Sequence, residues 1–213
     1  MHRLAMRDRP DYSREDDLMR HGHARIAGVD EAGRGPIAGP VTAAAVILNP
    51  RAIPEGLNDS KKLTAKRREY LFDALMRMAR VSVAHASVAE IETLNIRMAT
   101  HLAMRRALLG LDVPPDHVLI DGRDVPDGLP CPGRAIIGGD GKSLSIAAAS
   151  VIAKVTRDRV MVDLAQHHPG YGWEQNAGYP TKSHIAALND YGVTQHHRRT
   201  YGPVHNMLSK RYS

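Results

Sequence analysis

Four short, continuous apolar runs of strand length recur along this chain, and they constrain its fold more than any other feature. They are "RIAGVD", "VTAAAVIL", "DHVLIDG" and "GRAIIGGD". The first two read as buried strands joined by the Gly/Pro-rich connection "EAGRGPIAGP". Between and after the runs lie stretches with helical spacing. "TAKRREYLFDALMRMAR" opens on Thr64 and repeats Leu71, Leu75 and Met78. "NIRMATHLAMRRALLG" runs from Asn95 to a stop at Gly110, and "SLSIAAASVIAKVTRDR" is a helix of small residues. From about His167 the chain is rich in Gly, Pro, His and Tyr, with one further helix expected around Ser183 to Asn189. Strands and helices mixed in this way predict an α/β sandwich. A chain of 213 residues with 43% hydrophobic content buries one substantial core. No internal repeat or low-complexity linker divides it. Residues 1–24 are expected to form a flexible arm, and residues 25–213 one domain with a helical C-terminal part.

Three of the runs end in acid: Asp30 and Glu31 close the first, Asp121 the third and Asp140 the fourth. The exits of strands are where α/β proteins place ligands. Adjacent strand residues point to opposite faces, so Asp30 and Glu31 share a site only if the strand finishes there. Taken singly, each acid is more ordinarily a turn or cap residue. Carboxylates gathered together repel, so either their pKa values rise or a cation joins them. Hard oxygen ligands without a cysteine cluster favour Mg²⁺ or Mn²⁺. The stretch "IIGGDGKSLS" superficially resembles a nucleotide phosphate loop. The glycine such a loop requires five residues before Gly-Lys-Ser falls on Ile136, which excludes that reading.

The formal net charge of +6 suits an anionic partner such as nucleic acid, and equally an ordinary basic protein. The single Cys131 excludes an intrachain disulfide, and no apolar run approaches membrane-spanning length. With no signal-peptide pattern, a reducing, cytoplasmic setting is expected. Candidate phosphate contacts are Asp59, Ser60 and Lys61 in "NDSKKL", together with Lys142, Ser143 and Lys154. Lys66, Arg67 and Arg68 read as a solvated helix face. The pairs His167/His168 and His196/His197 lack zinc-site spacing, and the "HHRR" segment reads as surface or as a phosphate contact.

"GVDEAGRGPIAGPV", "LNDSKKL", "LIDG", "GDGKSLSIAAASVIAKVTRDR" and "NAGYPTKSH", in this order from Ile26 to Val204, resemble the bacterial type 2 ribonuclease H family (ribonuclease HII). The resemblance implies a ribonuclease H-like fold, a mixed β-sheet flanked by helices with a C-terminal helical part. It implies an endonuclease that cuts RNA in RNA/DNA hybrids and nicks 5′ of ribonucleotides embedded in duplex DNA, as in ribonucleotide excision repair. The family's metal-site acids fall on Asp30, Glu31, Asp121 and Asp140, with Mg²⁺ or Mn²⁺ as cofactor. Its Gly-Arg-Gly element falls on Gly33, Arg34 and Gly35, and its substrate-stacking tyrosine on Tyr179. His184 is a supporting group by the same analogy. Gly139 and Gly141 stand where the family more often has lysine and alanine, and Tyr201 and Gly202 where it commonly has Phe and Ala. A monomer is the default expectation, and "VHNMLSKRYS", without paired aromatics, offers no convincing clamp-binding peptide. Two other readings fit the residues less fully. A small-molecule phosphatase leaves the basic helices idle, and a non-catalytic binding module leaves the acids uncompensated.

Overall fold

The computed structural model describes residues 9–210. In chain order the elements are α1 (Ser13–Arg20), β1 (Ile26–Ala32), β2 (Val41–Ile47), α2 (Ala65–Met78), β3 (Arg80–Ala86) and α3 (Val88–Leu109). They continue with β4 (His117–Asp121), β5 (Gly133–Ile136), α4 (Leu144–His167), α5 (Trp173–Asn176), α6 (Lys182–Tyr191) and α7 (Gly202–Lys210). The five strands form one sheet in the order β3-β2-β1-β4-β5. The first three pair antiparallel, whereas β4 and β5 run parallel to β1. A parallel neighbour requires the chain to cross back over the sheet, and α3 makes that crossing before β4. The result is the mixed sheet with flanking helices of a ribonuclease H-like α/β fold.

Side chains alternate between two cores because successive strand residues face opposite ways. Ala27, Val29, Val118 and Ile120 pack against Ala99, Ala103, Met104 and Ala107 of α3. On the other face, Ala44 and Val46 meet Ala148, Val151 and Ile152 of α4 and Leu71 and Leu75 of α2. The helix α4 touches the backbone of β1 directly. A Cβ on Gly28 would lie 2.1 Å from the carbonyl carbon of Ser145, so no side chain fits there. Pairing Gly28 with Leu119 and Val29 with Ile120 brings Asp30 and Asp121 to the adjacent ends of two parallel strands. The C-terminal elements enclose a third core around Ile37, Met161, Tyr171, Trp173, Leu188 and Val204.

Three expectations are corrected. The arm expected to be flexible contains the helix α1, whose Leu18 and Met19 pack against Ile26, Leu119 and Ile146. Its first eight residues lie outside the described residues. The helix α2 stops at Met78, and Arg80–Ala86 forms the edge strand β3. The helix expected from Asn95 has an additional first segment, Val88 to Leu94, opened by a capping box between Ser87 and Glu90. Asn95 breaks it at φ 66°, and its side chain accepts from the amides of Arg97 and Met98 at 3.0 and 3.2 Å, recapping the second segment.

Candidate active site and metal centre

Asp30 lies near the end of β1 and Asp121 ends β4. Asp140 is not on a strand but on a one-turn 3-10 helix, Gly139–Gly141, between β5 and α4. One ligand oxygen from each of the three lies within 4.8 Å of the others. Asp30 and Asp140 are only 4% and 8% exposed, so little water screens them. Burial raises the pKa of Asp30 well above the carboxylate range, with Glu31 and Asp121 adding repulsion. Burial also raises Asp140, reinforced by Asp121 and Asp59. At a separation of about 5 Å and an effective dielectric of about 20, two such charges repel by roughly 3 kcal/mol. Some of that repulsion is balanced locally. The Gly139 amide donates to Asp121 Oδ1 at 2.7 Å, the Glu31 amide to Asp30 Oδ1 at 2.7 Å, and Lys61 Nζ lies 3.7 Å from Asp140. The donor set, three hard carboxylates at ligating separation, fits a divalent cation, whose charge would offset their mutual repulsion.

Glu31 takes a different position. Glu31 follows Asp30 on the strand, which continues to Ala32, and is not one of the three acids whose ligand atoms lie within 4.8 Å of one another. Its carboxylate pairs with Arg34 at 3.3 Å, and its pKa is raised by burial despite that partner. Glu31 borders a cleft of about 250 Å³ whose other walls are Gly33, Arg34, Gly35, Ser60, Lys61, Ser150, Lys154 and Tyr179. Gly33 has φ +95°, a left-handed conformation natural to glycine, and a Cβ there would sit 2.5 Å from Arg157 Nε. At Gly35 a Cβ would touch the Tyr179 ring at 3.4 Å, so backbone and aromatic ring lie next to each other in the cleft lining.

The loop carrying these glycines is tied down by two buried arginines. Arg198 donates to the carbonyls of Gly33 (2.6 Å), Arg34 (3.0 Å) and Gly39 (2.9 and 3.0 Å). Arg157 donates to Ala38 at 2.9 Å and Ala177 at 2.5 Å. Burial, then the neighbouring Arg198, lowers the Arg157 pKa to about 10, which leaves it cationic at neutral pH. The expectation that "HHRR" is surface or phosphate contact is therefore corrected for its first three residues. His197 and Arg198 are 1% and 0% exposed, and His196 is half-buried, because the C-terminal helices close over them.

Tyr179 is 46% exposed but held from behind. His184 Nδ1–H donates to the Tyr179 carbonyl at 2.9 Å, while its Nε2 accepts from Trp173 Nε1 at 2.9 Å. His197 Nδ1 accepts from the Thr194 amide at 3.0 Å, which leaves Nε2–H to donate to His184 Nε2 at 3.2 Å. Each ring must be neutral for this chain of bonds. Burial, reinforced by His184, His196 and His168, lowers the His197 pKa to about 3. The unfolded chain binds its proton near pH 6.5, so folded stability declines as pH falls from about 6.5 towards 3, by up to about 1.4 kcal/mol per pH unit for one group. Thermal unfolding followed between pH 7.5 and 5 should show a shallower fall in midpoint for His197→Gln than for the wild type, a comparison that cancels the opposite contribution of the raised Asp30, Glu31 and Asp140 carboxylates. Equal pH dependence of the two proteins contradicts the neutral network.

Of the candidate phosphate contacts, Ser60, Lys61 and Lys154 line the cleft, while the others lie elsewhere. Asp59 caps the turn Ser60–Lys62 through the Lys61 amide. Lys142 is exposed outside the cleft, with Nζ bonded to the Ile137 carbonyl at 2.6 Å. Ser143 is fully buried as the N-cap of α4 and donates to Glu15 at 2.6 Å, so it is not available to a phosphate. Ser150, which the sequence reading passed over, donates to the Ser60 hydroxyl at 2.8 Å on the cleft wall. Its signal is a hydroxyl within the otherwise apolar run "IAAASVIA". Arg68, read as part of a solvated face, donates to the carbonyls of Ser60 and Leu63 and so braces this wall.

The family model described as Ribonuclease HII matches residues 27–204. The chain belongs to the ribonuclease HII family. As a ribonuclease HII family member it is a ribonuclease H, a phosphodiester hydrolase. The ribonuclease HII of Ruegeria pomeroyi is 65% identical over 199 residues, covering 93% of this chain and 85% of that protein. That of Paracoccus denitrificans is 62% identical over 201 residues, covering 94% and 96%. Among solved structures, the ribonuclease H2 of Pyrococcus horikoshii OT3 superposes with a TM-score of 0.77 at 28% identity, covering 89% of this chain and all of that one. The ribonuclease HII of Archaeoglobus fulgidus, solved in a complex with PCNA, gives 0.71 at 25% identity, covering 84% and 96%. No helix among the described residues is long and apolar enough to cross a membrane.

Proposed function

We propose that this ribonuclease HII family member hydrolyses the RNA strand of RNA/DNA hybrids and nicks duplex DNA on the 5′ side of an embedded ribonucleotide, leaving a 3′-hydroxyl and a 5′-phosphate. The observation that carries the reading is the cluster of Asp30, Asp121 and Asp140 beside a cleft lined by the Gly33–Gly35 segment and an exposed tyrosine. Asp30, Asp121 and Asp140 would hold Mg²⁺ or Mn²⁺, with Glu31 assisting. When bound, such an ion supplies a water-derived nucleophile at neutral pH and neutralises charge on the leaving oxygen. Gly33 and Gly35 present peptide groups without side chains, so a 2′-hydroxyl can approach them closely, and only that hydroxyl and the sugar shape distinguish RNA from DNA. Tyr179 offers an aromatic face to the adjoining sugar. Lys61 and Lys154 bring positive charge to the phosphates on the same wall. The enzyme is proposed to act as a monomer in the cytoplasm.

The test is an end-labelled DNA duplex containing one ribonucleotide, incubated with Mg²⁺, Mn²⁺ or EDTA beside an all-DNA control. A metal-dependent nick 5′ of the ribonucleotide, absent from the control, is the expected product. Binding without cutting in any metal would favour a non-catalytic module. Replacing Tyr179 by Ala should lower kcat/KM at a single ribonucleotide by roughly tenfold, the size of one lost stacking contact. The melting temperature should hardly move, because the side chain is half exposed. Unchanged cleavage by Tyr179→Ala would remove the residue from the site.

A further inference from the structure

The helix α1 precedes residue 27, where the family match begins, yet it reaches the loop that carries Asp140. Glu15 is fully buried. Its Oε1 accepts from Ser143 Oγ at 2.6 Å and from the Ser145 amide at 2.9 Å, so a carboxylate sits at the N-terminus of α4, where the helix dipole favours it. Two neighbours make parallel contacts. The Asp11 carbonyl accepts from the Leu144 amide at 3.1 Å, and Arg14 Nη1 donates to the Lys142 carbonyl at 2.7 Å. All four bonds land on residues 142–145, directly after Asp140.

Gly138, Gly139 and Gly141 surround the acid, and the loop's own bonds run from the Lys142 and Ser143 amides to the Gly139 carbonyl, each at 2.8 Å, and from Lys142 Nζ to the Ile137 carbonyl at 2.6 Å. Only Gly138 has a positive φ. Gly141 does not, and a Cβ added to it meets nothing within 4 Å, so neither backbone conformation nor packing demands glycine there. Glycine instead widens the range of loop conformations that must be given up for Asp140 to join Asp30 and Asp121. On the N-terminal side, the Gly139 amide bonded to Asp121 supplies one anchor. On the C-terminal side, Asp11, Arg14 and Glu15 add anchors to the bonds within the loop.

We propose that Glu15 is a positioning residue for the metal centre, ordering the Gly138–Ser143 loop so that Asp140 is in ligating position before a cation arrives. The proposal rests on the reading of Asp30, Asp121 and Asp140 as metal ligands. Glu15 itself touches neither metal nor substrate. Its effect is exerted through Ser143 and the start of α4 on the acid three residues earlier in the chain.

The test measures Mn²⁺ binding to the full-length protein without nucleic acid, by electron paramagnetic resonance of the free ion, below the melting temperature of each variant. Glu15→Ala is expected to weaken Mn²⁺ binding about tenfold, the usual scale for residues that orient metal ligands. Glu15→Gln, which keeps the shape and guards against collapse of the fold, should fall between Glu15→Ala and the wild type. The decisive variant is Glu15→Ala combined with Gly141→Ala. A loop stiffened by alanine needs the clamp less, so this double variant should recover most of the lost affinity. A folded Glu15→Ala or Glu15→Gln protein with wild-type affinity overturns the proposal, and so does a double variant no better than Glu15→Ala. Wild-type protein that binds no Mn²⁺ at all has a different meaning, since it removes the metal-ligand reading itself.

Discussion

Replacing Asp121 by Asn is expected to lower cleavage of a ribonucleotide-containing duplex by about a thousandfold, the rate equivalent of roughly 4 kcal/mol of transition-state stabilisation. Two physical consequences make this variant informative. The amide oxygen of Asn is a poor substitute for a carboxylate in a site for a hard cation, so metal binding weakens. The same change removes one charge from a cluster in which three carboxylate oxygens lie within 4.8 Å of each other. The asparagine oxygen can still accept from the Gly139 amide, so the loop keeps that anchor. Metal-free Asp121→Asn should therefore melt no lower than the metal-free wild type, and duplex binding should persist. The measurements are a single-turnover cleavage assay in Mg²⁺ and a thermal melt in EDTA. A variant that cuts at a comparable rate refutes the role of Asp121. One that loses activity together with a large part of its stability points to a structural role instead.

Replacing Arg198 by Met should have the opposite profile, a large loss of stability with activity following it. Arg198 is fully buried, and its guanidinium donates to three main-chain carbonyls of the loop from Gly33 to Gly39. Methionine fills similar volume but donates nothing. The Arg34 carbonyl keeps the Tyr201 hydroxyl as a donor at 2.8 Å, whereas the Gly33 and Gly39 carbonyls lose the arginine. At about 1–3 kcal/mol for each of the two groups left without a partner, the cost is about 2–6 kcal/mol, or on the order of 10 °C in melting temperature for a chain of this size. Lysine should not rescue, because a point-like ammonium cannot serve several divergent carbonyls as the planar fork does. The residual folded protein should discriminate poorly between ribonucleotide and deoxyribonucleotide, since the Gly33–Gly35 backbone loses its brace. A melt within 1–2 °C of the wild type would show the loop to be self-supporting.

These two residues also mark how much was legible before folding. Asp121 declared itself in the sequence, because an acid closing an apolar strand-length run is a local pattern. β1, β2, β4 and β5, the helices α2, α4 and α6, and the acids Asp30, Glu31, Asp121 and Asp140 were all readable from spacing and termini of that kind. Arg198 was not legible, since in "HHRRTYG" it is indistinguishable from a solvated basic residue. Arg157, in "VTRDR", is masked in the same way. β3 was hidden because it follows α2 across Ala79 with no Gly or Pro to announce the change.

What the sequence by itself determined about this protein is therefore the alternation of strands and helices, the acids at or just beyond the strand ends and the glycines that leave backbone bare. Each depends on sterics and periodicity within a few residues of the chain. Tertiary structure alone decided that Asp140 meets Asp30 in one cluster, that Ser143 is a buried cap and not a phosphate contact, and that Glu15 and Arg198 are internal braces. Those outcomes turn on which surfaces meet across more than a hundred residues of chain. Burial converts a polar side chain from a solvated group into one that must find its hydrogen bonds inside the protein.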